Sequence, residues 1–110
     1  MIRVAEEVRE TLAAGGAVVA LETTLVAHGF PPGEGVEVGL ESERQVREAG
    51  AVPATVGVLD GEVRVGLTEE ELERFGPFAR KVGPRDLAPT AVQGAIGATT
   101  VGGTHAAIQF

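Results

Sequence analysis

The period of the apolar positions changes along the chain. Over residues 2–14, Val4, Val8 and Leu12 recur at every fourth position. Glu6, Glu7, Arg9 and Glu10 lie between them, which predicts a helix with one apolar face. Gly15-Gly16 stops it. Ala17-Val18-Val19-Ala20-Leu21 is then apolar at every position, which predicts a strand buried on both faces. Residues 28–35 hold two prolines and three glycines and read as a loop. From about Glu34 to Ala49, Val36, Leu40 and Val46 give a second helix, with Glu43 and Arg47 paired one turn apart.

Gly50 ends that helix, and Ala54 to Leu59 reads as a second strand. Asp60-Gly61 is a two-residue hairpin signal that returns the chain as a short strand, Glu62 to Val65. A hairpin inside an otherwise βαβ pattern predicts a mixed sheet. Thr68-Glu69-Glu70-Glu71 has the form of a capping box, and it opens a short helix that turns Leu72 and Phe75 inward. Gly76-Pro77 and Gly83-Pro84 then bracket a segment carrying Lys81. Arg85-Asp86-Leu87 opens another helical turn, limited by Pro89. Residues 93–110 are small and glycine-rich. The chain shows no internal repeat and no low-complexity linker.

Composition narrows the partners. At 110 residues the chain is one domain or part of one. Its core has to be aliphatic, because 44% of residues are hydrophobic and only 4% aromatic. A formal charge of -7 with no basic cluster argues against nucleic acid. There is no cysteine for a disulfide or a thiolate metal site. No apolar run reaches the length of a membrane span, and the amino terminus carries acids instead of a signal pattern. These features predict a cytoplasmic protein.

Four features are candidates for chemistry. Glu22 stands where the first strand runs out, and in open α/β sheets ligands bind at the carboxyl ends of strands; the plain alternative is a solvated residue at a strand end. Lys81 is the single lysine beside eight arginines. A lysine can lose its proton and act as a base or nucleophile, and an arginine cannot. His28 can act as ligand or acid–base group, or can simply fix its loop by hydrogen bonds. The glycines around Ala98-Thr99-Thr100-Val101 can admit a phosphate to the backbone or can serve close packing. The acidic run Glu69–Glu71 reads as a helix start in place of a metal site, because carboxylates favour that end of the helix dipole.

Five segments in order carry a resemblance: Ala20-Leu21-Glu22-Thr23-Thr24 with His28-Gly29-Phe30-Pro31; Gly50-Ala51-Val52-Pro53-Ala54-Thr55; Val65-Gly66-Leu67-Thr68; Lys81-Val82 with Arg85-Asp86-Leu87; and Gly97-Ala98-Thr99-Thr100-Val101. Together they resemble the pseudouridine-5'-phosphate glycosidases, or indigoidine-synthase-A-like proteins, over nearly the whole chain. The resemblance implies a three-layer α/β/α fold with a mixed sheet, here incomplete. It also implies reversible cleavage of pseudouridine 5'-phosphate to uracil and ribose 5-phosphate. By the same resemblance Glu22 is the proton donor, while Lys81 and Val101 contact the phosphosugar.

That family is understood to open the ribose ring and hold the sugar as an imine on a second lysine, beside a divalent metal, manganese. The second lysine and the metal aspartate have no counterpart in this sequence, so no metal ligand is assigned. Gly83-Pro84 and Ala95-Ile96 also depart from the family pattern in the phosphosugar region. Residues 1–110 are therefore expected to form the amino-terminal part of such an enzyme, inactive alone. The rival readings are a non-catalytic phosphosugar-binding or oligomerising domain, and half of a split enzyme. An incomplete sheet leaves an open edge, which predicts a homo-oligomer.

Overall fold

The structure, a computed structural model, describes residues 1–110. The elements are β1 (Ile2–Val4), α1 (Glu6–Ala13), β2 (Val18–Leu21), α2 (Thr24–His28), α3 (Gly35–Glu48), β3 (Val52–Leu59), β4 (Glu62–Val65), α4 (Glu69–Leu72), β5 (Arg80–Val82), α5 (Leu87–Val92), β6 (Gly97–Thr99) and α6 (Val101–Ala107). A 3-10 turn, Pro84–Asp86, joins β5 to α5. The strands form one mixed sheet in the order β1-β4-β3-β6-β5, with β2 attached to β3 alone. None of the helices is long and apolar enough to cross a membrane.

β3 is the axis. Its side chains alternate between two cores, as the strand pleat requires. Ala54, Val56 and Val58 face α1, α5 and α6, where Val8, Ala91 and Ala107 meet them. Leu59 faces the other way, into a second core with Val26 and Ala27 of α2, Leu72 of α4, and Phe75. Val36 and Leu40 of α3 pack against that second core. Helices therefore cover both faces, and the fold is the mixed three-layer α/β/α arrangement. Each fully buried large side chain, such as Leu59 or Leu72, contributes about 1.5–3 kcal/mol through removal from water.

The hairpin forms at Asp60-Gly61 with φ of 51° and 80°, the pair of positive values that a two-residue turn of this hand needs. Thr68 caps α4. Its hydroxyl accepts from the Glu71 amide at 3.1 Å, and Glu71 Oε1 accepts from the Thr68 amide at 2.9 Å. The second Glu71 oxygen takes the Arg64 guanidinium, which also lies 3.0 Å from Glu62 and 3.7 Å from Asp60. The acidic run is thus a capped helix start, tied down by one largely buried arginine.

Several local expectations give way to long-range contacts. Residues 2–4 form a strand and not the first turn of a helix, because they pair in parallel with Val63–Val65 of β4. β2 is not buried on both faces: it has one neighbour, and Val19 is 41% exposed. His28 ends α2 instead of opening the loop. Arg47 does not pair with Glu43. It reaches back to Glu7 on α1 with two bonds, 2.8 and 2.9 Å, while Glu43 accepts the Thr55 hydroxyl at 2.5 Å. Pro89 lies inside α5, in the first turn, where its missing N–H removes no helical bond.

Candidate functional site

The site is built where two strands meet end to end. β2 runs parallel to β3 and pairs with it as far as Leu21 opposite Thr55. β6 runs antiparallel to β3 and pairs with it from Ala98 opposite Gly57. Val56 sits in the gap between them, and its carbonyl lacks a ladder partner there. Such a buried group has to be satisfied. Two threonine hydroxyls do so, each at 2.8 Å: Thr23, just past β2, and Thr99, the last residue of β6.

The junction is closed from both sides. The Thr23 amide donates to the Thr99 carbonyl at 3.1 Å, and the Thr99 amide donates to the Thr23 hydroxyl at 2.8 Å. Thr104 of α6 lies 2.8 Å from the Thr99 hydroxyl; since Thr99 gives its proton to Val56, Thr104 is the donor. The Thr24 hydroxyl donates to the Ala98 carbonyl at 3.2 Å. All of Thr23, Thr99 and Thr104 are buried. The sequence flags Thr23, Thr24 and Thr99 only through the family motifs and does not flag Thr104; the bonds between Thr23 and Thr99 join residues 76 positions apart and carry no local signature.

The three expected site residues flank this junction. Glu22 precedes Thr23 and is half-buried; its Oε1 accepts from the Leu25 amide at 3.0 Å, which holds the carboxylate over the first turn of α2. It walls a small pocket of about 130 Å³, open to solvent, between β2, α2 and α3, with Val26, Gly39, Ser42 and Thr55 among the other walls. Val101 follows Thr100 on the far side of the junction and is 73% exposed. Lys81 lies on β5, in register with Ala98 of β6, and it is exposed and forms no ion pair. Strand neighbours are about 4.8 Å apart, so β5 brings Lys81 alongside the strand end that meets β2. The pocket at Glu22 reaches neither Lys81 nor Val101.

The backbone holds β5 in place. The Thr100 amide donates to the Val82 carbonyl at 3.0 Å. Gly103 packs so closely that a Cβ there would stand 2.3 Å from the same oxygen, and a Cβ on Gly97 would stand 2.8 Å from Val82 Cγ2. Gly97 and Gly103 therefore serve close packing, whereas Gly94, at φ 67°, has open space where a Cβ would stand and Gly102 meets only ordinary contacts. His28 donates from Nε2 to the Ala79 carbonyl at 2.8 Å, which ties the end of α2 to the start of β5. That is a fixing role. Arg85, in the 3-10 turn beside α6, forms no ion pair either.

The residues present do not fit a divalent metal. No group of three His, Asp or Glu side chains is arranged to hold a metal ion, and the three carboxylates that converge, Asp60, Glu62 and Glu71, close on the Arg64 guanidinium. Asp60 is engaged by Arg74 through two 2.8 Å bonds, and Asp86 accepts from the Gly83 amide at 3.0 Å.

Comparison with known proteins decides the family. The family described as indigoidine synthase A like protein matches residues 7–109. The chain belongs to that family. Among curated relatives, the pseudouridine-5'-phosphate glycosidase of Streptomyces griseus subsp. griseus is 55% identical over 100 residues, covering 89% of this chain and 31% of the relative. That of Arabidopsis thaliana is 42% identical, covering 94% and 32%. Among solved structures, the prealnumycin C-glycosynthase AlnA in complex with ribulose 5-phosphate superposes with a TM-score of 0.82 at 37% identity, over 97% of this chain and 35% of that one. An indigoidine synthase A-like protein of Thermotoga maritima gives 0.70 at 38% identity, over 80% and 30%. This indigoidine synthase A-like chain thus spans about a third of the length of the curated relatives it matches.

Proposed function

We propose that this chain is the phosphosugar-binding, amino-terminal part of a pseudouridine-5'-phosphate glycosidase fold. The observation that supports the reading is the head-on meeting of β2 and β6 at Thr23 and Thr99, with Glu22 next to Thr23 in the chain, Val101 two residues after Thr99, and Lys81 in register with Ala98 one strand over. The relatives named as such glycosidases, and the ribulose 5-phosphate complex of a structural neighbour, support the substrate class.

In this reading the Lys81 ammonium pairs with the phosphate, a contact it is free to make because no acid occupies it. Val101 lies against the sugar. Glu22 delivers a proton to the ribose ring oxygen, since ring opening needs a positioned acid and the bond to be broken is carbon–carbon. The imine step needs a second lysine, and this sequence has none. For the manganese that the family resemblance implies, these residues offer no ligand set. The protein acts in the cytoplasm on a nucleotide-derived phosphosugar, as a lyase or glycosidase when the fold is complete.

Calorimetry with ribose 5-phosphate tests the reading. Binding should be measurable and should fall roughly tenfold or more in Lys81→Ala, the loss of one charge-assisted contact to a phosphate. Binding that ignores the substitution removes Lys81 from the site. The 110-residue chain should release no uracil from pseudouridine 5'-phosphate, and release by purified protein would overturn the assignment.

A further inference from the structure

The Asp60-Gly61 turn holds a reactive pair of groups. Where glycine follows aspartate, no Cβ obstructs the approach of the glycine amide to the aspartate carboxyl. The Gly61 amide makes no hydrogen bond in the hairpin, so its nitrogen is free. The Asp60 side chain is 51% exposed, so water reaches it. It is nevertheless held. Arg74, just past α4, donates to both of its oxygens at 2.8 Å, from Nη1 to Oδ2 and from Nη2 to Oδ1. A planar fork on a carboxylate fixes its orientation as well as its charge. Arg64 of β4 places a second cation 3.7 Å from Oδ2, and it also serves Glu62 and Glu71. α5, the other element beside the turn, carries no charged residue.

We infer that Asp60-Gly61 is a site of isomerisation to isoaspartate, and that the two-pronged Arg74 contact keeps it closed. In the open reaction the Gly61 nitrogen bonds to the carbon of a neutral Asp60 carboxyl. Its proton leaves with the carboxyl hydroxide as water, and a cyclic imide remains. Water then adds back. Addition at the former side-chain carbonyl restores aspartate. Addition at the backbone carbonyl breaks that carbonyl's bond to nitrogen and leaves the chain running through the side chain. One water is lost and one regained, so no oxidant or further reactant is needed. The clamp opposes the first step twice over. With both oxygens bound to Arg74, the side chain is not free to turn onto the Gly61 nitrogen. The same bonds hold the carboxyl below its usual range, and a carboxylate anion has no hydroxide to release. What is protected is the hairpin register. Isoaspartate adds a backbone carbon to the turn that sets Leu59 opposite Glu62, Val58 opposite Val63 and Val56 opposite Val65. All four of these valines belong to the core around β3, so an altered turn would disturb it. This chemistry does not depend on what the site near Glu22 binds.

The test ages the 110-residue chain beside Arg74→Met at mildly acidic pH, with a peptide of residues 57–64 as the unguarded reference. Isomerisation leaves the mass unchanged, so isoaspartate is counted by enzymatic methylation and placed by fragmentation mass spectrometry. The parent should accumulate it at residue 60 far more slowly than the peptide, and Arg74→Met severalfold faster than the parent. Arg47→Met breaks a two-bond ion pair of the same kind on α3 and should age like the parent. Arg74→Gln keeps much of the side chain's length without its charge, and it repeats the comparison if circular dichroism shows Arg74→Met unfolded. Hydrogen exchange at the β4 amides, measured before ageing, should be the same in the Arg74 variant and the parent. Equal ageing of parent and Arg74 variants overturns the inference, and so does Arg47→Met ageing as fast as they do. Faster exchange along β4 in step with faster ageing overturns it in favour of protection by the hairpin as a whole.

Discussion

β2 and β3 lie side by side in parallel, and both are written almost wholly in aliphatic residues. Their fates differ. Seven of the eight residues of β3 are buried, and none of the four in β2 is. β3 has β4 on one side, β2 and then β6 on the other, and helices on both faces. β2 has one strand neighbour and a groove above it. An apolar run therefore states how much burial a segment can use. How much it receives depends on neighbours that come from elsewhere in the chain.

The contrast is open to measurement, and the largest effect belongs to β3. Leu59→Ala should cost about 2–5 kcal/mol in urea denaturation, the usual range for emptying a packed leucine site. For a domain of ordinary stability that is a large share of the total. Next comes the seam between β2 and β6. Thr99→Val keeps the volume but takes both hydroxyl partners away, leaving the Val56 carbonyl with one donor, and should cost about 1–3 kcal/mol. Thr99→Ser should restore most of it. A Thr99→Val protein as stable as the parent would show that the seam adds nothing to the hold of β2.

A smaller effect comes from pH. The Arg47 hydrogen bonds hold the Glu7 carboxyl below its usual range, and the Arg74 hydrogen bonds do the same for Asp60. A carboxyl lowered on folding lends stability that is fully present above its unfolded value, here 4.5 and 3.8, and that is lost as pH falls through the lower folded value. Unfolding free energy should be flat from neutral pH to about 5 and decline below that. Arg47→Met should shrink the decline, and an unchanged acid limb would exclude the Glu7 contact. The smallest effect is expected in β2. Val19→Ala should change stability by no more than about 0.5 kcal/mol, because Val19 is 41% exposed and belongs to neither core. A loss of 2 kcal/mol or more, on the scale of a core site, would mean that β2 is covered in solution.

The same contrast explains what could be read from the sequence. α3, the Asp60-Gly61 hairpin and the Thr68–Glu71 capping box are set by residues within a few positions of one another, and the chain adopts all three as read. β1 was hidden because its partner, β4, lies about sixty residues away; Val4 continues the spacing of Val8 and looks helical without it. Arg47 had an acid one turn before it and another on α1, and only the folded chain shows that α1 wins. For the site, Glu22 and Lys81 stood out as a strand-end acid and a lone amine. The threonine seam beside Glu22 did not, because hydroxyl bonds to one distant carbonyl leave no pattern in sequence.

The seam also fixes an order of events. Thr23 is synthesised early, but the partners that hold it include Thr99, 76 residues later. Closing so long a loop costs chain entropy before any bond is gained, which places the step late in folding. β2 can dock on β3 sooner, with Glu22 held by the nearby Leu25 amide, yet the junction beside that acid stays open until β6 arrives. On the ribosome, a nascent chain halted before Thr99 would hold β2 beside β3 with the threonine junction still open.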